Sequence, residues 1–260
     1  MNAMTNLPLH ARRVVSIRPV SAKGWTAMSG DRRATHASAT ASYHYITRTV
    51  GRDDQGAIDF SHRDDLVGYG LELPANHPNW ATDEGRIWRE LDAATATMPA
   101  DTVRAWHVVV SLPPEGDADE WVAMVRDYAT AIAVAGPVVA WAIHARGDGA
   151  DGWAIPPHAH LLLTTRVWRH HARHGLPVAS WSGAAMREHL HSRWLEKLPS
   201  PMRIAAASPY RVGVTTPAHP DCSRLAALFG PGVPAKPPRQ ARRSRRRCYR
   251  IRKTEQASQG

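Results

Sequence analysis

The chain lacks the features of a secreted or membrane-bound protein. It has only two cysteines, Cys222 and Cys248, which give no disulfide framework and fit a reducing compartment. Residues 1–20 contain arginines but no apolar run of signal-peptide length, and no stretch of about 18 apolar residues occurs anywhere. We therefore expect a soluble cytoplasmic protein with no membrane contact. Hydrophobic residues make up 43% of the chain, enough for a core of ordinary size.

Acidic residues are missing from one segment near the C-terminus. Residues 235–253 contain ten lysines and arginines and no carboxylate, while the whole chain has 33 basic and 23 acidic residues. The net charge of +10 therefore lies entirely in this segment. Such a block cannot bury itself, so we expect 1–215 to form the folded domain and 216–260, here called the basic tail, to be disordered.

The basic tail has three possible roles. It could only improve solubility, it could be an address signal, or it could bind nucleic acid. Counterion release from phosphates favours non-specific nucleic-acid binding. The densest cluster of expected DNA contacts is Arg242, Arg243, Arg245, Arg246 and Arg247.

Hydrophobic periodicity predicts an α+β domain with a mostly antiparallel central sheet flanked by helices. Alternating or β-branched runs predict strands over residues 13–20, 106–112, 138–144 and 157–166. Spacing and cap signals predict four helices. Residues 53–79 are rich in turn residues, and we expect loops there. The predicted helices cover 37–47, a segment from Thr82 or Asp83 to about Thr97, a segment after Asp117 that ends before Gly136, and 186–198.

Three histidines carry the clearest site signal. His158 and His160 are two residues apart, so they point to the same face of a strand. His144 ends the preceding strand, and residues 145–157 are rich in Gly, Asp and Pro, which is typical of a loop. If that loop joins an antiparallel pair, three imidazoles converge at one end of the sheet, and three neutral imidazoles are a metal site. The metallo-hydrolase pattern His-x-His-x-Asp-His and the protease pattern His-Glu-x-x-His are absent, so the spacing leaves the chemistry open.

A pair of tyrosines forms the second candidate group. Tyr43 and Tyr45 lie among small residues on the first predicted helix, and Arg48 follows three residues after the second tyrosine. One interpretation is an amphipathic core helix with one buried ring. The other is a tyrosine nucleophile, with Arg48 available to hold a phosphate. Taken alone, these residues favour the core helix.

Seven motifs in a fixed order then indicate a family. The series resembles the MobA/MobL mobilisation relaxases, which belong to the HUH endonucleases, over about residues 13–200. One motif recurs easily by chance, whereas seven in order do not. The motifs are Ser-Ala-x-Ala-x-x-x-Tyr over 38–45, Ile-Asp-Phe-Ser-His-Arg over 58–63, Leu-Pro-Ala-Asn-His-Pro-Asn-Trp over 73–80, Ile-Trp-Arg-Glu-Leu-Asp over 87–92, Val-Val-Val-Ser-Leu-Pro over 108–113, Ala-Ile-His over 142–144 and His-Ala-His-Leu-Leu-Leu-Thr-Thr-Arg over 158–166.

The resemblance implies a concrete reaction. Such proteins nick one DNA strand at an origin of transfer; a tyrosine becomes covalently linked to the 5′-phosphate, and a 3′-hydroxyl is left. The nucleophile aligns with Tyr45, and Tyr43 is the second candidate. The three histidines would hold a divalent ion, Mg²⁺ or Mn²⁺ by resemblance, although three imidazoles favour Zn²⁺ by ligand softness. The implied partners are single-stranded origin DNA, relaxosome accessory proteins and a type IV secretion coupling protein.

Two features depart from the family pattern. Asp92 and Thr95 stand where a pair of glutamates is common; Asp92 can support the site or accept a proton, and Thr95 cannot. Arg48 lies three residues after Tyr45, whereas in the family an arginine follows the tyrosine directly.

Two alternatives remain open. One is a replication initiator or transposase of the same fold, whose nucleophile would follow the histidines, where only Tyr210 and Tyr249 occur. The other is a DNA-binding accessory protein that has lost cleavage activity.

Overall fold

A central antiparallel sheet organises the chain. The computed structural model describes residues 14–24, 37–83, 85–149, 152–169 and 174–198, together with the backbone of 249–251. Its five main strands are β1 (Val15–Val20), β4 (Leu66–Glu72), β5 (Ala105–Ser111), β6 (Val139–Gly147) and β7 (Trp153–Thr164), in the order β1-β5-β7-β6-β4. Each strand runs antiparallel to its neighbours. The predicted α+β class with a mostly antiparallel sheet is confirmed.

Two strands lie where the sequence predicted only loops. A small hairpin pairs β2 (Val50–Asp53) with β3 (Gly56–Asp59), and β4 is a full member of the main sheet. The expectation of loops over residues 53–79 is therefore wrong for β3 and β4. The glycines of β4 explain the error, because a Cβ atom at Gly70 would lie 2.5 Å from the Trp141 ring on β6. Glycine here admits a neighbouring indole and does not mark a turn.

Four helices flank the sheet: α1 (Ala39–Thr47), α2 (Arg86–Thr95), α3 (Ala118–Ala133) and α4 (Ala184–Lys197). The predicted capping box of α3 is present, because the Asp117 carboxylate accepts from the Glu120 N–H and the Glu120 carboxylate accepts from the Asp117 N–H. The predicted start of α2 at Thr82 or Asp83 is wrong. Residues 79–82 form a separate 3₁₀ turn, and α2 begins after Gly85, whose φ of 73° breaks the helical path.

The two faces of the sheet carry separate apolar cores. Helices α3 and α4 cover the face that contains Val108, Trp141 and Leu161. Helices α1 and α2 cover the other face, which contains Ala142 and Leu162. Because side chains alternate along a strand, residues 144, 158 and 160 fall on the face beneath α1 and α2. The sheet therefore directs all three histidines toward the helix that carries the tyrosines.

The chain near the C-terminus adds a short strand to one edge of the sheet. The backbone of β10 (Tyr249–Ile251) pairs antiparallel with Gly68–Gly70 of β4, so these three residues differ from the expected disorder of the basic tail. An edge strand offers unpaired N–H and C=O groups to such a segment. Arg242, Arg243, Arg245, Arg246 and Arg247 lie outside the described residues. A second short hairpin pairs β8 (Arg166–Val167) with β9 (Leu176–Pro177), and no helix in the described ranges has the length and apolarity to cross a bilayer.

Candidate metal centre and nucleophile

The central hairpin brings the three predicted histidines together. His144 on β6 lies directly opposite His158 on β7, and His160 lies opposite Ala142. The ring centroids are 5.4 Å apart for His144 and His158, 4.7 Å for His144 and His160, and 5.0 Å for His158 and His160. One ligand nitrogen from each residue lies within 4.8 Å of the other two. The predicted convergence of the three imidazoles is thus present in the fold.

The donor chemistry of this trio fits a divalent cation. His144 and His160 are buried, and burial lowers the pKa of each well below its usual value, so both rings are neutral at physiological pH. The Nε2 atom of His160 is buried and has no hydrogen-bond partner among the described residues. A buried polar atom in that state costs free energy, and a cation at the centre of the trio would satisfy it.

A fixed carbonyl group orients His158. Its Nδ1 atom lies 2.8 Å from the carbonyl oxygen of Pro156. Because a carbonyl oxygen only accepts, Nδ1 carries the proton and the lone pair of the ring is on Nε2. This is the protonation state in which a histidine can act as a metal ligand through Nε2.

An arginine–aspartate pair holds His144. Arg48 ends α1 with a φ of 54°, and its guanidinium makes bonds of 2.8 Å and 2.7 Å to the two carboxylate oxygens of Asp65. It also donates to the Tyr45 carbonyl at 2.7 Å and to His144 Nδ1 at 3.0 Å. The Nε2 atom of His144, which therefore carries the proton, lies 2.7 Å from the Ile46 carbonyl. Ligation of a metal by His144 would replace one of these two hydrogen bonds.

The same contacts define the electrostatics of the pair. Burial by itself would raise the pKa of Asp65, but the hydrogen bonds and charge of Arg48 and the nearby His144 lower it to about 2. Both side chains are almost fully buried, at 3% and 4% exposed. Arg48 was predicted to hold a phosphate; the structure instead places it between Asp65, His144 and the α1 backbone.

The two tyrosines occupy different environments. They are two residues apart on a helix, so their side chains point about 200° apart. Tyr43 is buried and stacks on Trp88, with ring centroids 6.1 Å apart. Tyr45 is half-buried, and its ring centroid lies 5.6 Å from that of His160 and 6.4 Å from that of His107. Tyr45 therefore borders the histidine trio, and Tyr43 packs into the core.

Two arginines lie against the ring of Tyr45. The Arg48 guanidinium carbon is 4.8 Å from the ring centroid, and that of Arg63, in the loop after β3, is 5.7 Å away. The sequence placed Arg63 within a motif but gave it no role. Both guanidinium groups make cation–π contacts with the Tyr45 ring.

Asp92 contacts the start of the tyrosine helix. Its Oδ1 accepts from the Ala39 N–H at 2.8 Å, and its Oδ2 accepts from the N–H and the hydroxyl of Thr40 at 2.9 Å and 2.7 Å. Burial raises the pKa of Asp92, while these hydrogen bonds and Arg104, 3.5 Å away, oppose the change. The carboxylate thus satisfies N–H groups at the first turn of α1 and favours its dipole. The Thr95 hydroxyl bonds to carbonyls within α2.

His107 is a site residue that the sequence did not reveal. It lies on β5 with its Nε2 atom 2.8 Å from Nδ1 of His160, and the two rings stack at a centroid distance of 5.0 Å. Burial, followed by the charge of Arg18, lowers the pKa of His107 to about 3, so this ring is neutral. The available signal was a histidine between apolar residues in a predicted buried strand.

Comparison with known proteins identifies the class to which this site belongs. A family model described as "MobA/MobL family" matches residues 35–189, a range that includes both tyrosines and all three histidines. Because the match covers more than half of the chain, the chain belongs to the MobA/MobL family of mobilisation relaxases. The family indicated by the seven motifs is thereby confirmed.

Two relatives extend the comparison. The chain is 25% identical over 138 residues to "Conjugal transfer protein TraA" of Rhizobium radiobacter. The match covers 49% of this chain and 12% of that protein, so the chain spans a small part of this relative. A solved structure from work on the molecular basis of vancomycin resistance transfer in Staphylococcus aureus is similar with a TM-score of 0.53 and 19% identity. The matched region covers 70% of this chain and 88% of the solved chain, and the similarity supports the fold.

Proposed function

We propose that this protein nicks one strand of DNA at an origin of transfer and keeps the cleaved end as a 5′-phosphotyrosine on Tyr45. The observation that carries the proposal is the position of the Tyr45 ring, 5.6 Å from His160 at the edge of the histidine trio. An early helical tyrosine beside three imidazoles supports relaxase chemistry. It argues against an initiator-type arrangement, which would draw its tyrosine from further along the chain.

The reaction exchanges one phosphodiester for another. The Tyr45 hydroxyl loses its proton and its oxygen bonds to phosphorus, while the DNA 3′-oxygen leaves and takes up a proton. The covalent phosphotyrosine link conserves the energy of the cleaved phosphodiester bond, so the strand can be rejoined without a nucleotide cofactor. Tyr43 is the less favoured nucleophile because its ring is buried against Trp88.

A divalent cation would be held by His144, His158 and His160. When bound, it supplies a Lewis acid that stabilises charge on the non-bridging phosphate oxygens. The family resemblance favours Mg²⁺ or Mn²⁺, whereas an all-imidazole donor set favours Zn²⁺ over Mg²⁺.

We assign the supporting residues from their contacts. Arg48 and Asp65 orient His144 and the end of α1, and Asp92 fixes the start of α1 (a role in position and not in proton transfer). Arg63 is the basic side chain at the Tyr45 ring that we assign to phosphate. The arginines at 242–247 would bind flanking DNA phosphates without regard to sequence.

The setting of the reaction is also a proposal. We expect it in the cytoplasm, on single-stranded origin DNA, with relaxosome accessory proteins and a type IV secretion coupling protein as assembly partners.

Nicking of a supercoiled plasmid that carries the cognate origin tests the proposal. The wild-type protein and Tyr43→Phe should both form a covalent protein–DNA adduct, and Tyr45→Phe should form none. His160→Ala or EDTA should abolish cleavage while most DNA binding persists, because phosphate contacts do not need the ion. An adduct that survives in Tyr45→Phe and is lost in Tyr43→Phe would move the nucleophile. Metal-independent cleavage would remove the role of the trio.

A further inference from the structure

His107 is a buried polar side chain that the proposed reaction does not use. It is 2% exposed and lies on β5, the strand next to the one that carries His158 and His160. Its ring is nearly parallel to that of His160, with an interplanar angle of 14° and a distance of 2.8 Å between His107 Nε2 and His160 Nδ1. A hydrogen bond at this distance requires that one of these two nitrogens donates and the other accepts.

The position of that proton decides what His160 offers to the centre of the trio. If it sat on His160 Nε2, this nitrogen would be a hydrogen-bond donor and could not bind a cation. If it sits on His160 Nδ1, the N–H donates to His107 Nε2 and the lone pair of His160 Nε2 is exposed to the other two imidazoles. Only the second arrangement makes His160 a ligand, and it needs an acceptor where His107 stands.

We propose that His107 is a positioning residue that accepts the Nδ1–H of His160 and so directs the Nε2 lone pair of His160 into a cation site shared with His144 and His158. This inference rests on the proposed metal role of the trio. His107 would not touch the ion or the DNA. The imidazole also differs from a carboxylate in this position, because it orients the ligand without adding a negative charge to the site.

A purely packing role for His107 predicts different behaviour in three variants. Leu at position 107 keeps apolar volume and removes the acceptor. Gln places its amide oxygen near the position of the imidazole Nε2 and keeps the acceptor. Asn is polar but too short to reach His160. A packing role would make Leu the mildest change, whereas the positioning role makes Gln the mildest.

A matched control lies on the same sheet face. The Thr164 hydroxyl accepts from the Val138 N–H at 3.0 Å and donates to the Arg166 carbonyl at 3.0 Å, four residues beyond His160 on β7. Thr164→Val therefore removes buried hydrogen bonds from the same strand without touching the trio. The loss of thermal stability in Thr164→Val shows how much destabilisation to expect in the His107 variants from lost buried hydrogen bonds alone.

Titration of the full-length protein with Co²⁺, followed by visible absorption, measures the effect. We expect His107→Leu and His107→Asn to weaken Co²⁺ binding by about 10- to 100-fold, as is usual for loss of a partner behind a metal ligand. His107→Gln should stay within a few-fold of wild type, and Thr164→Val should bind Co²⁺ as wild type does. Wild-type affinity in folded His107→Leu or His107→Asn would overturn the proposal.

A second measurement separates this inference from the proposed function. In metal-free protein labelled with ¹⁵N-histidine, two-bond nitrogen–proton correlations report the tautomer of His160. We expect the Nδ1–H form in wild type and in His107→Gln, and a change toward the Nε2–H form in His107→Asn. A wild-type protein that binds no Co²⁺ but shows this pattern would refute the metal role and keep the positioning role. An Nε2–H tautomer in wild type would refute the positioning role itself.

Discussion

Replacement of Asp65 by Asn should destabilise the protein strongly, because the Arg48 guanidinium would stay buried without its counter-charge. The bidentate pair is 3% and 4% exposed, so water screens it little. Removing one partner of a buried pair typically costs about 3–5 kcal/mol. The pKa of Asp65 gives a second route: the difference between the ordinary value of 3.8 and about 2 corresponds to about 2 kcal/mol. We expect the free energy of unfolding to fall by about 2–5 kcal/mol in urea denaturation.

The double variant Arg48→Met with Asp65→Leu separates stability from function. Buried ion pairs replaced by apolar residues of similar size are often neutral or stabilising, so the double variant should recover most of the lost stability. It should not recover nicking, because the Arg48 contact to the Tyr45 carbonyl at the end of α1 is lost. An Asp65→Asn protein that unfolds like wild type, or a double variant with full nicking activity, would refute this reasoning.

Three further predictions concern the sheet, acid stability and the tail. Gly70→Ala should cost about 1–3 kcal/mol of stability by overpacking, because its Cβ would lie 2.5 Å from the Trp141 ring. Gly68→Ala should cost less, because its Cβ would lie 3.7 Å from the nearest side-chain atom. Urea denaturation of both variants tests this prediction. Because the folded-state pKa of Asp65 is depressed, its contribution to stability is complete above about pH 4 and is lost as the pH falls toward about 2, and acid unfolding of Asp65→Asn should lack this component. Removal of residues 235–260 should weaken DNA binding and flatten its salt dependence by up to about 0.7 log units per lost phosphate contact, and an unchanged slope would assign the tail another role.

The sequence predicted those parts of the fold whose signals are local. Apolar and β-branched runs located β5, β6 and β7, and the Asp117–Glu120 capping box located α3. The strand β4 was missed because its glycines look like turn residues, whereas Gly70 leaves room for an indole on a strand about 70 residues further along the chain. No local pattern reports such a long-range contact.

The candidate site divides in the same way. The spacing of His158 and His160 and the loop after His144 predicted their convergence, because strand pairing brings them together. The partners behind them were not predictable: Arg48 meets Asp65 and His144 only after α1 docks on the sheet, and His107 meets His160 across neighbouring strands. For this reason the sequence led us to expect Arg48 at a phosphate, whereas in the structure its guanidinium is hydrogen-bonded within the protein.

Mass spectrometric mapping of the covalent adduct tests the central claim most directly. After nicking of origin DNA in the presence of Mn²⁺ and digestion with nuclease and trypsin, the peptide of residues 34–48 should carry a 5′-phosphonucleotide on Tyr45. The same treatment with EDTA, or with His158→Ala, should give the unmodified peptide. A nucleotide on Tyr43, Tyr210 or Tyr249, or modification of Tyr45 without the metal and the histidines, would contradict the account.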